Sequence, residues 1–438
     1  MDVQVQRALV IPPPPSEPSA EVPLTVFDLV APAYHVTVLF AYAPPNPTNA
    51  ALLHALTATL PRFPLLTARR PSQPDHRRPF FLTGKGGAGA LVVEAAVSSP
   101  LADHLPLAPS RDLERLHVPV DGATPHVLVL QINRFACGGL LVASSAHHQA
   151  ADGYSMSTFF HAWADAVRAG ASGAPPVVDR PPVPYGPGAV VPRRPPRCEF
   201  EHRGAEFLPR DAAARRPPPA RVHPSEIANL LLHFTGELVA DLKACAHNKY
   251  TTFETVSAHL WRKITAARGR ADDPARTALN VTVNGRARLG PDSLPRGFFG
   301  NAVLTASAGT GARALARGSL ADAAALVRAG VRARDRRYFQ SFVDFGALRG
   351  GEELEPAVGD EDNVLLPDVA ADSWLHLELH RLDFGCGGRL AGILPAHSPL
   401  DGVVVLIPGL GKAGGVDVFV SLWHKHAEVL RDIAYAMD

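Results

Sequence analysis

The sequence predicts an α/β protein of two domains, and three observations carry that prediction. Strand-like apolar runs and helix-spaced amphipathic stretches alternate along the whole chain. Between Gly173 and Pro219 the composition changes. Prolines crowd together (Pro175-Pro176, Pro181-Pro182, Pro195-Pro196, Pro217-Pro218-Pro219) and arginines become frequent, as in a connector without a core of its own. The second half then repeats the style of the first. A chain of 438 residues is long enough for more than one hydrophobic core. We therefore place one domain at 1–175, a Pro/Arg-rich crossover at 176–220 and a second domain at 221–438, each with mixed sheet and flanking helices.

The elements follow in order. Leu24 to Tyr42 alternates and stops at Pro44-Pro45, which reads as strand. Asn49 to Leu60 sets Leu52, Leu53, Leu56 and Leu60 at helical spacing, with Asn49 as the N-cap. Val127 to Ile132 and Gly139 to Ser145 are apolar runs of strand length. A helix follows from Ser155 to Ala169, with Phe159, Phe160, Trp163 and Val167 on one face. Past the crossover, Leu230 to Phe234 reads as strand, then Gly236 to His247 and Phe253 to Arg268 as helices. Val281 to Val283 is strand, and Leu320 to Phe339 reads as one Ala- and Arg-rich helix. Trp374 to Leu379 alternates strictly, the pattern of a half-buried strand. Val403 to Ile407 and Val416 to Leu422 are strands, and Trp423 to Met437 is a closing helix.

The bulk properties exclude several classes. The net charge is +1, and no basic stripe with interleaved aromatics points to nucleic acid. Four cysteines without a CxxC pair speak for a reducing compartment and against a disulfide scaffold. Met1 to Ile11 runs into four prolines without the apolar core of a secretory leader, and no apolar run reaches bilayer length. The expectation is a cytoplasmic monomer without a membrane partner.

One segment carries chemistry. The strand-like run ending at Ser145 leads into Ala146-His147-His148-Gln149-Ala150-Ala151-Asp152-Gly153. Histidine takes and returns a proton near neutral pH, its unperturbed pKa being about 6.5. Placed at a strand end, His148 would stand rigidly at the mouth of a cleft, while Asp152 holds the loop and Gly153 permits the turn. A metal site would need a third ligand, and no HExxH-like pattern supplies one. A second segment, Asp383-Phe384-Gly385-Cys386-Gly387, lacks the upstream motifs of a kinase. It reads as a glycine turn around a buried acid whose partner is Arg286 or Arg288.

The two segments together resemble the signatures HxxxDG and DFGWG of the plant BAHD acyl-CoA-dependent acyltransferases. The resemblance covers essentially the whole chain. It includes Val22-Pro23-Leu24-Thr25-Val26-Phe27-Asp28, Tyr250-Thr251-Thr252-Phe253-Glu254, Asn284-Gly285-Arg286-Ala287-Arg288 and Phe298-Phe299-Gly300-Asn301. Arg134-Phe135-Ala136-Cys137-Gly138-Gly139, Tyr338 to Phe342 and Asp372 to Leu375 look most like the grass hydroxycinnamoyl-CoA:amine N-acyltransferases of the agmatine, putrescine and tryptamine type. The resemblance implies a chloramphenicol-acetyltransferase-like fold with a channel between the domains. It implies no permanently bound cofactor and no metal, with acyl-CoA as co-substrate and a small amine as acceptor. By position it makes His148 the general base and gives Asp152 a structural part. Asp383, Gly385 and Gly387 form a structural motif, with Asp383 paired to Arg286. Thr251, Thr252 and Ser257 fall where the family contacts CoA.

The departures bear on the acceptor. Cys386 replaces the tryptophan of DFGWG, which leaves the oxyanion donor unassigned and widens the cavity; amine-acylating relatives share a small residue here. Val36, Val38 and Phe40 replace the hydroxyl-bearing residues of shikimate-type relatives, and His376 replaces their arginine. Ala370 stands near an acid of the agmatine type, so a dicationic acceptor would lack a buried partner. Tyr338, Asp372 and Trp374 complete the expected acceptor pocket. An arylalkylamine such as tryptamine or tyramine is therefore the favoured acceptor. The alternatives are agmatine or putrescine, and O-acylation of an alcohol or glycoside.

Overall fold

The computed structural model describes residues 1–70, 79–171, 181–209, 221–348, 354–357, 363–411 and 415–437. The chain forms two compact units, and neither is contiguous in sequence. The first comprises Met1–Pro196, Leu289–Ala302 and Leu377–Ala396; the second comprises Arg197–Arg288, Val303–His376 and His397–Asp438. This differs from the boundaries expected at 175 and 221. Residues 176–180 and 210–220 of the proposed crossover lie outside the described residues. The part between them is divided: Val183 N–H donates to Arg62 O and Val191 N–H to Ser293 O in the first unit, while Arg197 N–H donates to Asp344 Oδ2 in the second. The Asp383 turn, assigned to the second domain, belongs to the first unit.

The first unit is built on a six-stranded mixed sheet in the order Val3–Ile11, Ala90–Val97, Leu128–Phe135, Leu140–His147, His35–Ala43, Arg389–Pro395. Only the pair Ala90–Val97 and Leu128–Phe135 is parallel. Because side chains alternate across a strand, Phe40 faces the helix Gly153–Ala171 and meets Phe160 edge-on at 5.0 Å. Trp163 of that helix donates through Nε1 to Leu52 O, 3.0 Å away, which joins it to the helix Asn49–Thr59.

The second unit has a six-stranded sheet in the order Val303–Gly311, Arg276–Asn284, Val369–Ser373, Val403–Pro408, Val416–Trp423, Ile227–Phe234. Its core joins Trp261 and Ile264 of the helix Thr252–Ala267, Val327 of the helix Leu320–Ala333, and the sheet residues Leu406 and Val418. Both units are mixed sheets with flanking helices, as the α/β class predicts. No helix among the described residues is long and apolar enough to cross a membrane.

Several elements differ from expectation for local reasons. Leu24 to Tyr42 is not all strand: Thr25 and Asp28 form a reciprocal capping box that starts the short helix Val26–Leu29. The N-cap of the helix Asn49–Thr59 is Thr48, not Asn49. The run Leu320 to Phe339 is two helices, Leu320–Ala333 and Arg336–Leu348. Asp335 divides them, its Oδ1 accepting the Tyr338 N–H at 2.9 Å. The alternation from Trp374 to Leu379 is not a strand. The chain turns there, Glu378 takes a left-handed φ of 54°, and Trp374 is buried in one unit while Leu377 and Leu379 are buried in the other.

Candidate active site

His147 is the last residue of its strand, and His148 opens the 3-10 turn His148–Ala150. Both backbone groups of His148 are held. Its N–H donates to Tyr34 O at 2.9 Å, and its carbonyl accepts from Asn301 Nδ2 at 2.9 Å. The ring is half-buried. Its Nδ1 is buried without a hydrogen bond.

Asp152 is 3 % exposed. Its Oδ1 accepts from Ser155 N–H at 2.9 Å and its Oδ2 from Ala302 N–H at 3.0 Å. It thus caps the start of the helix Gly153–Ala171 and ties it to the segment after Gly300. Ser155 strengthens the tie, its hydroxyl donating to Gly300 O at 2.9 Å and accepting from Gly300 N–H at 3.1 Å. Asn301 completes it, linking the His148 carbonyl to Asp28 Oδ1, 2.9 Å from its amide nitrogen.

His147 has a different character. Burial, then the neighbouring Arg70 and His35, push its pKa down to about 3. Its Nε2 lies 2.8 Å from Arg70 Nη1, a contact that requires a neutral imidazole accepting the proton. Of the two adjacent histidines, His147 is therefore held neutral inside the fold. Among the described residues, no group of three or more His, Cys, Asp or Glu is placed to hold a metal ion.

A model of the Transferase family matches residues 1–437. The chain belongs to the BAHD acyltransferase family. It is 38 % identical over 419 residues to tryptamine hydroxycinnamoyltransferase 2 of Oryza sativa subsp. japonica, covering 95 % of this chain and 93 % of that one. It is 36 % identical over 431 residues to agmatine hydroxycinnamoyltransferase 1 of the same plant, with 95 % and 93 % covered. Among solved structures, TRI101 of F. graminearum complexed with coenzyme A and deoxynivalenol superposes with a TM-score of 0.71 at 17 % identity, covering 94 % of this chain and 97 % of that one. The last likeness is one of fold.

Against this BAHD framework the remaining site residues divide. His148 and Asp152 lie in the first unit beside Val36 and Val38, whose strand pairs Val36 with Ala146 and Val38 with Ser144; both valines are half-buried. Phe40 is core, 1 % exposed against Phe160. Tyr338 is also closed off. Its hydroxyl donates to Glu206 Oε1 at 2.6 Å, and Arg334 covers its ring at 4.1 Å. Trp374 is buried, its N–H on Leu406 O. His376 is exposed. Asp372 accepts from the Ser373 N–H at 2.8 Å.

The glycine turn needs the largest correction. Asp383 is exposed, not buried. Its carboxylate accepts from Gly385 N–H at 2.7 Å, and its carbonyl accepts from Arg168. A short side chain two residues ahead of a free N–H closes such a turn locally. Arg286 belongs to the second unit, where its N–H donates to Asn284 Oδ1. Cys386 is exposed and fills no cavity. Phe384 is what the turn buries, against Trp163 at 4.9 Å and Tyr42 at 5.4 Å.

Of the CoA candidates, Thr251 is the N-cap of the helix Thr252–Ala267 and exchanges hydrogen bonds with Glu254, which Arg328 pairs at 2.7 Å. Thr252 opens that helix. Ser257 is 1 % exposed with its hydroxyl unpartnered. Sequence reasoning gave no role to Asn301 or Asp28. The signal was present in Phe298-Phe299-Gly300-Asn301 and Thr25-Val26-Phe27-Asp28, but nothing in one sequence says that the two segments meet.

Proposed function

We propose that the protein transfers a hydroxycinnamoyl or benzoyl group from its CoA thioester to a primary amine, giving an amide and free CoA, with His148 as general base. The observation that carries this reading is the His148 backbone, held at both N–H and carbonyl with its ring half-buried. The family membership and the amine-acylating names of the relatives support it.

In the reaction His148 Nε2 takes a proton from the amine as its nitrogen attacks the thioester carbonyl carbon. The tetrahedral intermediate then breaks its carbon–sulfur bond, and the CoA thiolate takes the proton back from His148. No acyl-enzyme is required, because a thioester is already activated. A primary alkylamine is mostly cationic in water, with a pKa near 10 as for lysine; apolar walls such as Val36 and Val38 favour its neutral, nucleophilic form. This favours an arylalkylamine acceptor. The agmatine relative keeps a cationic acceptor as the second reading.

The test is CoA release with coumaroyl-CoA and benzoyl-CoA, each against tryptamine, tyramine, agmatine, putrescine and shikimate. Arylalkylamine turnover is expected, and His148→Ala should lower it by about 10²- to 10⁴-fold with the melting temperature unchanged. Turnover with agmatine or putrescine alone would replace the arylalkylamine by a polyamine. Turnover with shikimate alone, or a fully active His148→Ala, would overturn the reading.

A further inference from the structure

The fully buried side chain nearest to His148 in hydrogen-bonding terms is Asn301, which is 0 % exposed. Its amide nitrogen has two hydrogens and each has a partner, Asp28 Oδ1 at 2.9 Å and His148 O at 2.9 Å. Its backbone N–H donates to the same Asp28 oxygen at 3.1 Å. The second oxygen of Asp28 accepts the Thr25 N–H at 2.8 Å. Among the described residues no cationic side chain pairs with Asp28, so three N–H groups of Thr25 and Asn301 hold its carboxylate. Burial pushes that carboxyl up and these hydrogen bonds oppose the rise.

This arrangement is directional. Flipping the Asn301 amide would set its oxygen against a carboxylate and a carbonyl, three acceptors with no proton among them. Asn301 therefore delivers a donor to the His148 carbonyl, and Asp28 fixes which way the amide faces. The local turn contributes little by itself. Its one internal bond, Ala151 N–H to His148 O, is 3.3 Å long, near the limit for a useful hydrogen bond. The tilt of the peptide that follows His148, and with it the aim of the imidazole, rests on Asn301.

We propose that Asn301 and Asp28 are positioning residues of the acyl transfer, orienting the base through its own carbonyl. The proposal rests on the reading of His148 as the base. Asparagine suits the place because it donates to two acceptors at once without charge. A misplacement of about 1 Å at a reacting group lowers rates by about 10²-fold, and that sets the expected scale.

The experiment compares Asn301→Ala, Asn301→Asp, Asp28→Asn and His148→Ala with the wild-type protein, measuring melting temperature, kcat and both KM values across pH. In folded Asn301→Ala, kcat should fall by about 10- to 100-fold while both KM values stay within about 2-fold. Asn301→Asp sets a second carboxyl against Asp28, so one proton is shared and is retained to higher pH than for a lone acid. Protonated, Asp at 301 can donate again. Its kcat relative to wild type should therefore rise several-fold from about pH 8 to about pH 6, whereas the Asn301→Ala ratio stays flat. Taking the ratio removes the titration of the amine. Asp28→Asn should weaken the side-chain acceptor of the Thr25 N–H and melt earlier, with a smaller loss of kcat than Asn301→Ala.

A folded Asn301→Ala with wild-type kcat, or an Asn301→Asp ratio that does not move with pH, would overturn the proposal. Should Asn301→Ala fail to fold, the Asn301→Asp ratio decides alone. If neither folds, the role is structural and the proposal falls. An active His148→Ala would sink the base reading itself, whereas an inactive His148→Ala beside a normal Asn301→Ala would sink only the positioning role.

Discussion

Gly385, Cys386 and Gly387 follow one another with φ of 85°, 61° and 83°. Glycine enters this region freely, while an L side chain is strained there by roughly 1–2 kcal/mol. Cys386 occupies the middle of the turn with its side chain in solvent, so the strain is not offset by burial. Cys386→Gly should therefore raise stability by up to about 1 kcal/mol once glycine's extra unfolded-state freedom is subtracted. A urea titration reads this directly, and a fall in midpoint would mean that the thiol makes a stabilising contact. The turn itself was legible from its glycines. That its acid closes on the Gly385 N–H was not, because a spacing of residues does not say which donor lies nearest.

At the scale of elements, the segment 197–207 is anchored by one serine. Ser341, on the helix Arg336–Leu348, accepts the N–H groups of Glu199 at 2.9 Å and Phe200 at 3.0 Å and lies 3.0 Å from His202 Nε2. His202 Nδ1 in turn lies 3.0 Å from Glu206 Oε2. A serine, a histidine and a glutamate in hydrogen-bond sequence have the order of a hydrolase triad, yet Ser341 and His202 are both 0 % exposed. No substrate reaches them, and the group works as an anchor. Ser341→Ala leaves two part-buried N–H groups without their acceptor and should cost about 1–2 kcal/mol. Hydrogen exchange at the Glu199 and Phe200 amides should accelerate ahead of the rest of the unit; unchanged exchange there would refute the anchoring. The long helices and apolar strands were legible because their period is local. The break at Asp335 was missed because an aspartate inside an amphipathic stretch reads as a surface residue until its cap is seen. The strands Val3–Ile11, Ala90–Val97 and Arg389–Pro395 were missed as well: each is held by pairing with a partner far away in sequence.

At the scale of the whole molecule, two buried histidines make stability depend on pH. Burial and nearby positive charge hold His147 at about 3, and burial holds His259 at about 4 with its Nε2 on Ala434 O at 2.7 Å. In the unfolded chain each returns to about 6.5. Between these limits the unfolded state binds more protons, so stability rises with pH and is lost as pH falls below about 6.5. Each group contributes at most about 1.4 kcal/mol per pH unit, down to its folded pKa. The urea midpoint should therefore fall steadily from about pH 6.5 to about pH 4.5. His259→Gln should make that fall shallower. An equally steep fall in the variant would mean that other groups drive the acid sensitivity.

By itself the sequence determined the class of the fold, the order of most elements, and the histidine and aspartate around which the family reading turns. Those are written in local periodicity and in residue types at short spacing. Only the tertiary structure decided which segments belong to which unit, since Leu289–Ala302 and Leu377–Ala396 return to a core begun some hundreds of residues earlier. It also decided that Phe40 and Tyr338 are packing residues, that Cys386 lies in solvent, and that Asn301 carries the carbonyl of His148. Each of those facts is a contact between distant parts of the chain. Such contacts are set by the burial of whole faces and by the pairing of polar groups that burial forces.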